Sequence, residues 1–269
     1  MKKMLALLLA LVMVLSLAAC ASSQPAAAST ETAETTETTE PAAEESAEAP
    51  AESGKTYTVG VCQLVQHEAL DAATQGFVDA LKEELGDAVT VDVQNASGDS
   101  VNCGTIVNGF VSKGVDLIMA NATPALTAAV SATADIPILG TSITAYGVAL
   151  DIDDFNGTVG GNISGTSDLA DLQAQAQMIL DWFPETKTVG LLFCSAEPNS
   201  RYQIDEVRKA LEAQGVTCEE FAFTDSNDVS SVTQKAADFS DVVYIPTDNT
   251  AASNTEAIAN VLIPAGVPA

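Results

Sequence analysis

The sequence predicts an α/β protein of two lobes, each a parallel sheet covered by helices, joined by a hinge, with the second lobe incomplete. Three observations carry this. From Lys55 onward, short β-branched runs without charge alternate with runs whose apolar residues keep helical spacing. The alternation pauses near Asn162–Asp168 and then begins again. After Leu262 the chain reads Pro264-Ala265-Gly266-Val267-Pro268-Ala269, a turn into a strand that would lie beyond the last residue. The domain plan is a signal at 1–20, a linker at 21–54, a first lobe at 55–165 and a second at 166–269.

The N-terminus pairs Lys2 and Lys3 with an apolar run from Met4 to Leu17, followed by Leu17-Ala18-Ala19-Cys20. The run is too short to span a bilayer of roughly 30 Å as a helix, so a cleaved export signal is expected. The Cys after two small residues resembles the lipobox of bacterial lipoproteins, which makes Cys20 the lipid attachment residue and a membrane the anchor. Residues 21–53 hold no Leu, Ile, Val or aromatic residue and eight glutamates. Such a segment cannot bury enough surface to offset its ordering entropy and reads as a tether.

In the first lobe, Tyr57–Val65 reads as a buried strand and Glu68–Leu85 as a helix with Leu70, Ala73, Phe77, Ala80, Leu81 and Leu85 on one face. Strands are expected at Val89–Val93, Val115–Ala120 and Ile136–Leu139. Helices are expected at Val101–Val111, capped by Asp99 or Ser100, and at Pro124–Ser131, with proline in its first turn. The second lobe repeats the pattern. Helices are expected at Asp168–Trp182, Asn199–Gln214, Val229–Ala237 and Thr250–Leu262, and strands at Thr188–Phe193, Thr217–Phe223 and Asp241–Ile245.

The chain has 10 basic and 37 acidic residues, a net charge of −27. The linker glutamates account for only part of this, so the folded part is acidic by itself. That excludes a nucleic-acid partner, which needs clustered Lys and Arg. With a single histidine, a multi-histidine metal site is excluded, and no Gly-x-Gly-x-x-Gly or Gly-Lys-Ser/Thr phosphate loop appears. No cofactor or metal is expected. A hydrolase using Ser142 or Ser195 lacks a nucleophile elbow and any base except His67. The four cysteines after Cys20 could pair in three ways; free thiols are the expectation.

In open α/β sheets, ligands sit beyond the carboxyl ends of strands. Here those ends carry Gln63 to Glu68, Asn121-Ala122-Thr123-Pro124, Gly140-Thr141-Ser142, Ser195 to Ser200, Thr224 to Asn227 and Pro246-Thr247-Asp248-Asn249. They are hydrogen-bonding residues and carboxylates, with no Lys or Arg. This suits a small neutral or zwitterionic solute.

The run Val59-Gly60-Val61-Cys62-Gln63-Leu64-Val65-Gln66-His67-Glu68-Ala69-Leu70 resembles the opening of the tryptophan/tyrosine-type substrate-binding lipoproteins of ABC importers. Asn121-Ala122-Thr123-Pro124, Gly140-Thr141-Ser142, Gly161 to Asp168, Glu197-Pro198-Asn199-Ser200 and Tyr244 to Asn249 agree. The resemblance implies the type I periplasmic-binding-protein fold, with two Rossmann-like lobes closing on an amino-acid-like solute. It also implies an ABC permease as partner and a monomer outside the cytoplasm. The site it implies holds Gln63, His67, Asn121, Thr123, Ser142, Thr166, Glu197, Asn199, Thr247 and Asp248. In that reading Thr123, Ser142 and Thr166 donate to a carboxylate, and Asp248, then Glu197, accept from an ammonium. Asp248 equally suits a helix cap. Tyr146, Phe155, Tyr202 and Tyr244 are candidate walls for an aromatic side chain. A ligand-sensing receptor, or a carrier of a nucleoside or sugar, is the alternative.

Overall fold

The computed structural model describes residues 54–269; the signal, Cys20 and residues 21–53 of the tether lie outside the described residues. The first lobe runs β1 (Tyr57–Gln63), α1 (Glu68–Leu85), β2 (Val89–Asn95), α2 (Ser100–Lys113), β3 (Leu117–Asn121), α3 (Thr123–Ala132), β4 (Ile138–Ile143), α4 (Tyr146–Ala149) and β5 (Ile163–Ser167). The second runs α5 (Leu172–Trp182), β6 (Thr188–Cys194), α6 (Pro198–Glu212), β7 (Thr217–Phe223), α7 (Val229–Phe239), β8 (Val242–Tyr244), α8 (Asn249–Ser253) and α9 (Thr255–Ala265). The strands form two parallel sheets, ordered β2-β1-β3-β4-β5 and β7-β6-β8. Among the described residues no helix is long and apolar enough to cross a membrane.

Local chemistry explains the boundaries. The Asp99 side chain accepts from the Val101 amide at the start of α2, and Gly114 ends that helix in the left-handed region. In the second lobe, strand alternation sorts the core onto two faces. Val189, Leu191 and Phe193 of β6 pack with Leu172 and Ile179 of α5 and with Ile204 and Val207 of α6. Leu192 and Cys194 point the other way, toward Val229 and Ala236 of α7 and Ile258 and Leu262 of α9. With both faces covered, β6 reads as an unbroken apolar run. Each fully buried Leu or Ile contributes about 1.5–3 kcal/mol.

The two lobes share one plan. Asp116, just before β3, accepts from the Thr58 amide at 2.7 Å and its hydroxyl at 3.1 Å. Asp241, just before β8, accepts from the Thr188 amide and hydroxyl, both at 2.9 Å. Beside β3, the Ile118 amide donates to the Pro137 carbonyl at 3.0 Å; beside β8, the Val243 amide donates to the Pro268 carbonyl at 2.9 Å. Val267-Pro268 therefore occupies next to β8 the place that Ile136-Pro137 occupies at the entrance to β4.

The structure departs from the sequence expectation in three places. Residues 163–167 form an edge strand of the first sheet, and α5 starts only at Leu172, where Asp171 accepts from the Ala174 amide. A short helix, α4, follows β4. The helix expected at Thr250–Leu262 is two, because Asn254 leaves helical geometry between α8 and α9.

The β4–β5 edge contains a tight slot. The Tyr146 hydroxyl donates to the Gly140 carbonyl at 3.1 Å. Gly165 opposite has φ 151°, and a Cβ there would overlap the Gly140 carbonyl oxygen and the Tyr146 hydroxyl. Only glycine meets both demands.

Candidate functional site

The strand-end loops carry two polar networks, one in each lobe, and a single hydrogen bond among the described residues links them. In the first lobe, the Gln63 amide group donates to Asp71 Oδ1 at 2.6 Å and to the Val65 carbonyl at 2.8 Å, while its oxygen accepts from the Thr74 hydroxyl at 2.6 Å. Asn121 Nδ2 donates to the Leu70 carbonyl at 2.8 Å and to Thr74 Oγ1 at 2.9 Å. These bonds fasten the first turns of α1 to the ends of β1 and β3. Asn121 Oδ1 and the Thr123 hydroxyl, both buried, have no protein partner.

In the second lobe, Glu197 is 3% exposed, and its carboxylate reaches across to the start of α8. Oε1 accepts from the Thr250 amide and hydroxyl, both at 2.8 Å. Oε2 accepts from the Asn249 amide at 3.1 Å, from Asn249 Nδ2 at 2.6 Å and from Asn199 Nδ2 at 3.2 Å. A helix N-terminus presents free amides and the positive end of its dipole, which is why a carboxylate is stable there. Asp248 caps the same helix: Oδ1 accepts from the Ala251 amide at 2.7 Å, and Oδ2 from the Cys194 amide at 2.6 Å. Asn199 and Gln203 donate to the Thr247 carbonyl at 3.1 and 3.0 Å, and the Thr247 amide donates to Gln203 Oε1 at 3.1 Å.

The link between lobes is His67 Nε2, 3.3 Å from Asn249 Oδ1. His67 precedes α1, with extended backbone and no side-chain cap bond of its own, so its ring is available to reach the other lobe. Against a neutral ring with hydrogen on Nε2, or a protonated one, the Asn249 oxygen is the acceptor.

Five of the ten sequence-nominated residues thus meet in one cluster: His67, Glu197, Asn199, Thr247 and Asp248. Gln63 and Asn121 belong to the α1 fastening. Thr123 opens α3. Ser142 lies in the bulge of β4 with φ 56°, and the Thr166 hydroxyl contacts that of Thr141 at 3.4 Å. Asn249 and Thr250 join the cluster from outside the ten, directly after Asp248; Gln203 lies one turn after Asn199 on α6.

One of two notable cavities opens on the cluster. One of about 280 Å³ is lined by His67 and Ala69 from the first lobe and by Thr247, Asp248, Asn249 and Ile258 from the second. Another, of about 790 Å³, gathers Tyr146, Phe155 and Tyr202, three of the four aromatic candidates, and touches none of the ten polar ones. Tyr244 instead donates to Gln175 Oε1 at 2.7 Å, tying β8 to α5.

Burial, then the neighbouring charge of Glu197, raises the Asp248 carboxyl to about 6, against the opposing pull of the Ala251 and Cys194 amides. A carboxyl whose folded value lies above its unfolded one favours the fold while protonated. That contribution is full below about pH 4 and is lost as pH rises through 6. Wild type should therefore lose on the order of 2 kcal/mol more stability than Asp248→Asn between pH 4 and pH 7. Urea midpoints at the two pH values test this; parallel losses in both proteins would contradict it.

Comparison with known proteins follows the same lines. Residues 58–268 match the family described as ABC transporter substrate binding protein. The tyrosine-binding protein of Clostridioides difficile (strain R20291) is 32% identical over 216 residues, covering 78% of this chain. The match covers 61% of that curated relative's length. A Streptococcus pneumonia ABC domain in complex with L-Trp is 32% identical, with a TM-score of 0.74, covering 80% of this chain and 74% of that one. A ligand-free, open substrate binding protein with adhesive properties from Clostridium difficile is 34% identical, with a TM-score of 0.53, covering 79% and 73%. The α/β fold with parallel sheets matches type I periplasmic binding protein structures. The chain belongs to the ABC transporter substrate binding protein family.

Proposed function

We propose that this chain captures an amino-acid-like solute, an aromatic one first, between its two lobes outside the cytoplasm and delivers it to an ABC permease. The observation that carries the reading is the cross-lobe bond from His67 to Asn249, beside two buried carboxylates at the strand ends. A tyrosine-binding relative and a tryptophan-bound one support the solute class. In this reading His67, Thr247 and Asp248 face the solute, the carboxylates supplying the negative potential an ammonium seeks. Thr123, with its unpartnered hydroxyl, serves the solute carboxylate, with Ser142 and Thr166 on the same lobe. Gln63, Asn121, Glu197 and Asn199 hold the loops that carry these groups. Cys20 is the proposed lipid anchor, and the protein acts as a monomer.

A thermal-shift screen of L-tyrosine, L-tryptophan, L-phenylalanine, L-leucine, nucleosides and sugars tests the reading. A solute at one hundred times its Kd stabilises the fold by about 2.7 kcal/mol, which raises the midpoint by several degrees. An aromatic amino acid should produce the largest shift. A shift with a nucleoside or sugar, and none with any amino acid, would replace this solute class.

A further inference from the structure

We propose that Cys62 and Cys103 are a redox pair that closes to a disulfide between β1 and α2 when the protein meets a disulfide oxidant. Both thiols are 0% exposed and lie in the same core cluster of the first lobe. Their facing is set by register. Gly60 and Cys62 are two apart on β1 and share a face; Cys103 and Phe110 are seven apart on α2 and share a side. A Cβ on Gly60 would strike the Phe110 ring, so α2 rests directly on the strand at that point. Moving two residues along β1 then brings Cys62 toward Cys103, one helical stretch back along α2 in the same core cluster.

The other thiols have no such neighbour. On the second sheet Cys218 pairs in register with Val189, five positions from Cys194, or roughly 16 Å along the strands. Cys194 instead contacts the Thr224 carbonyl at 3.6 Å. The described cysteines therefore offer one place for an internal bridge.

The chemistry divides between the partners. Cys103 sits near the N-terminus of α2, and the neighbouring Cys62 thiol makes it more acidic than an ordinary thiol. Cys62 is pushed up by its Cys103 neighbour and by burial. Cys103 thiolate is thus the attacking group. It displaces one thiolate from a small-molecule or protein disulfide, forming a mixed disulfide. Cys62 then loses its proton and attacks the Cys103 sulfur, releasing the second thiolate. Two electrons pass from the cysteine pair to the oxidant, which leaves as two thiols. Because both thiols are covered, the reaction proceeds during folding or when the start of α2 opens.

The test uses the full chain, treated with oxidised glutathione either natively or during refolding from urea, then denatured and alkylated. Non-reducing peptide mass mapping should find Cys62 linked to Cys103, with two fewer cysteines alkylated, by at least one of the routes. Cys62→Ala or Cys103→Ala should abolish the link, leaving at most a glutathione adduct. Cys194→Ala and Cys218→Ala should preserve it. The bridged form should melt several degrees above the reduced form, since a cross-link over a long loop restricts the unfolded chain. Absence of the linked peptide by both routes, or a bridged form that melts lower, overturns the proposal.

Discussion

Glu197→Ala is expected to detach the start of α8 and lower stability by about 3–5 kcal/mol, because it removes the one acceptor shared by a set of buried donors. The Asn249 and Thr250 amides, the Thr250 hydroxyl and the Asn249 side chain all donate to this carboxylate. These four donors would be left facing a gap the size of a glutamate side chain, while the fifth, Asn199 Nδ2, keeps the Thr247 carbonyl. Some of the loss returns, because the Glu197 charge no longer opposes ionisation of Asp248. Glu197→Gln separates shape from charge. It keeps one oxygen for Thr250 but turns an amide toward donors, so its loss should fall between wild type and alanine. Urea denaturation at pH 7 reads both. A loss under about 1 kcal/mol for the alanine variant would mean that water replaces the carboxylate without penalty.

The second large effect is at Gly165. Gly165→Ala should destabilise the first lobe by about 3 kcal/mol or more, since the new methyl meets a backbone oxygen that cannot step aside. The left-handed φ of 151° adds strain for any residue with a side chain. Tyr146→Phe removes only the hydroxyl that reaches Gly140 and should lower stability by about 1 kcal/mol. Combining the two should not rescue the alanine variant, because the overlap with the Gly140 carbonyl remains. A Gly165→Ala midpoint close to wild type would show that β5 can shift outward at little cost.

How much of this was legible in the sequence varies by element. Helix α1 was readable to the residue, because its apolar stripe is strong and Gly86 ends it. Strand β7 was as clear. Strand β5 was not: Ile163 is its only apolar residue, and the others are exposed at a sheet edge, so no burial pattern marks it. The break at Asn254 was hidden too, since asparagine inside an apolar-periodic run gives no local sign of which way it bends. For the candidate site, residue type and strand-end position were enough to single out Glu197 and Asp248. Whether those carboxylates face open space or a helix end is decided by how the β6–α6 and β8–α8 loops stack. The contact of His67 with Asn249 joins positions 182 apart and has no signature in either neighbourhood.

The way Glu197 and Asp248 grip the entrance of α8 has an energetic corollary. These bonds lie wholly within the second lobe, so the loop is braced without any contact from a solute. A visitor would then surrender mainly its own motional freedom rather than that of the receptor, and even a small molecule with few contacts could be held tightly.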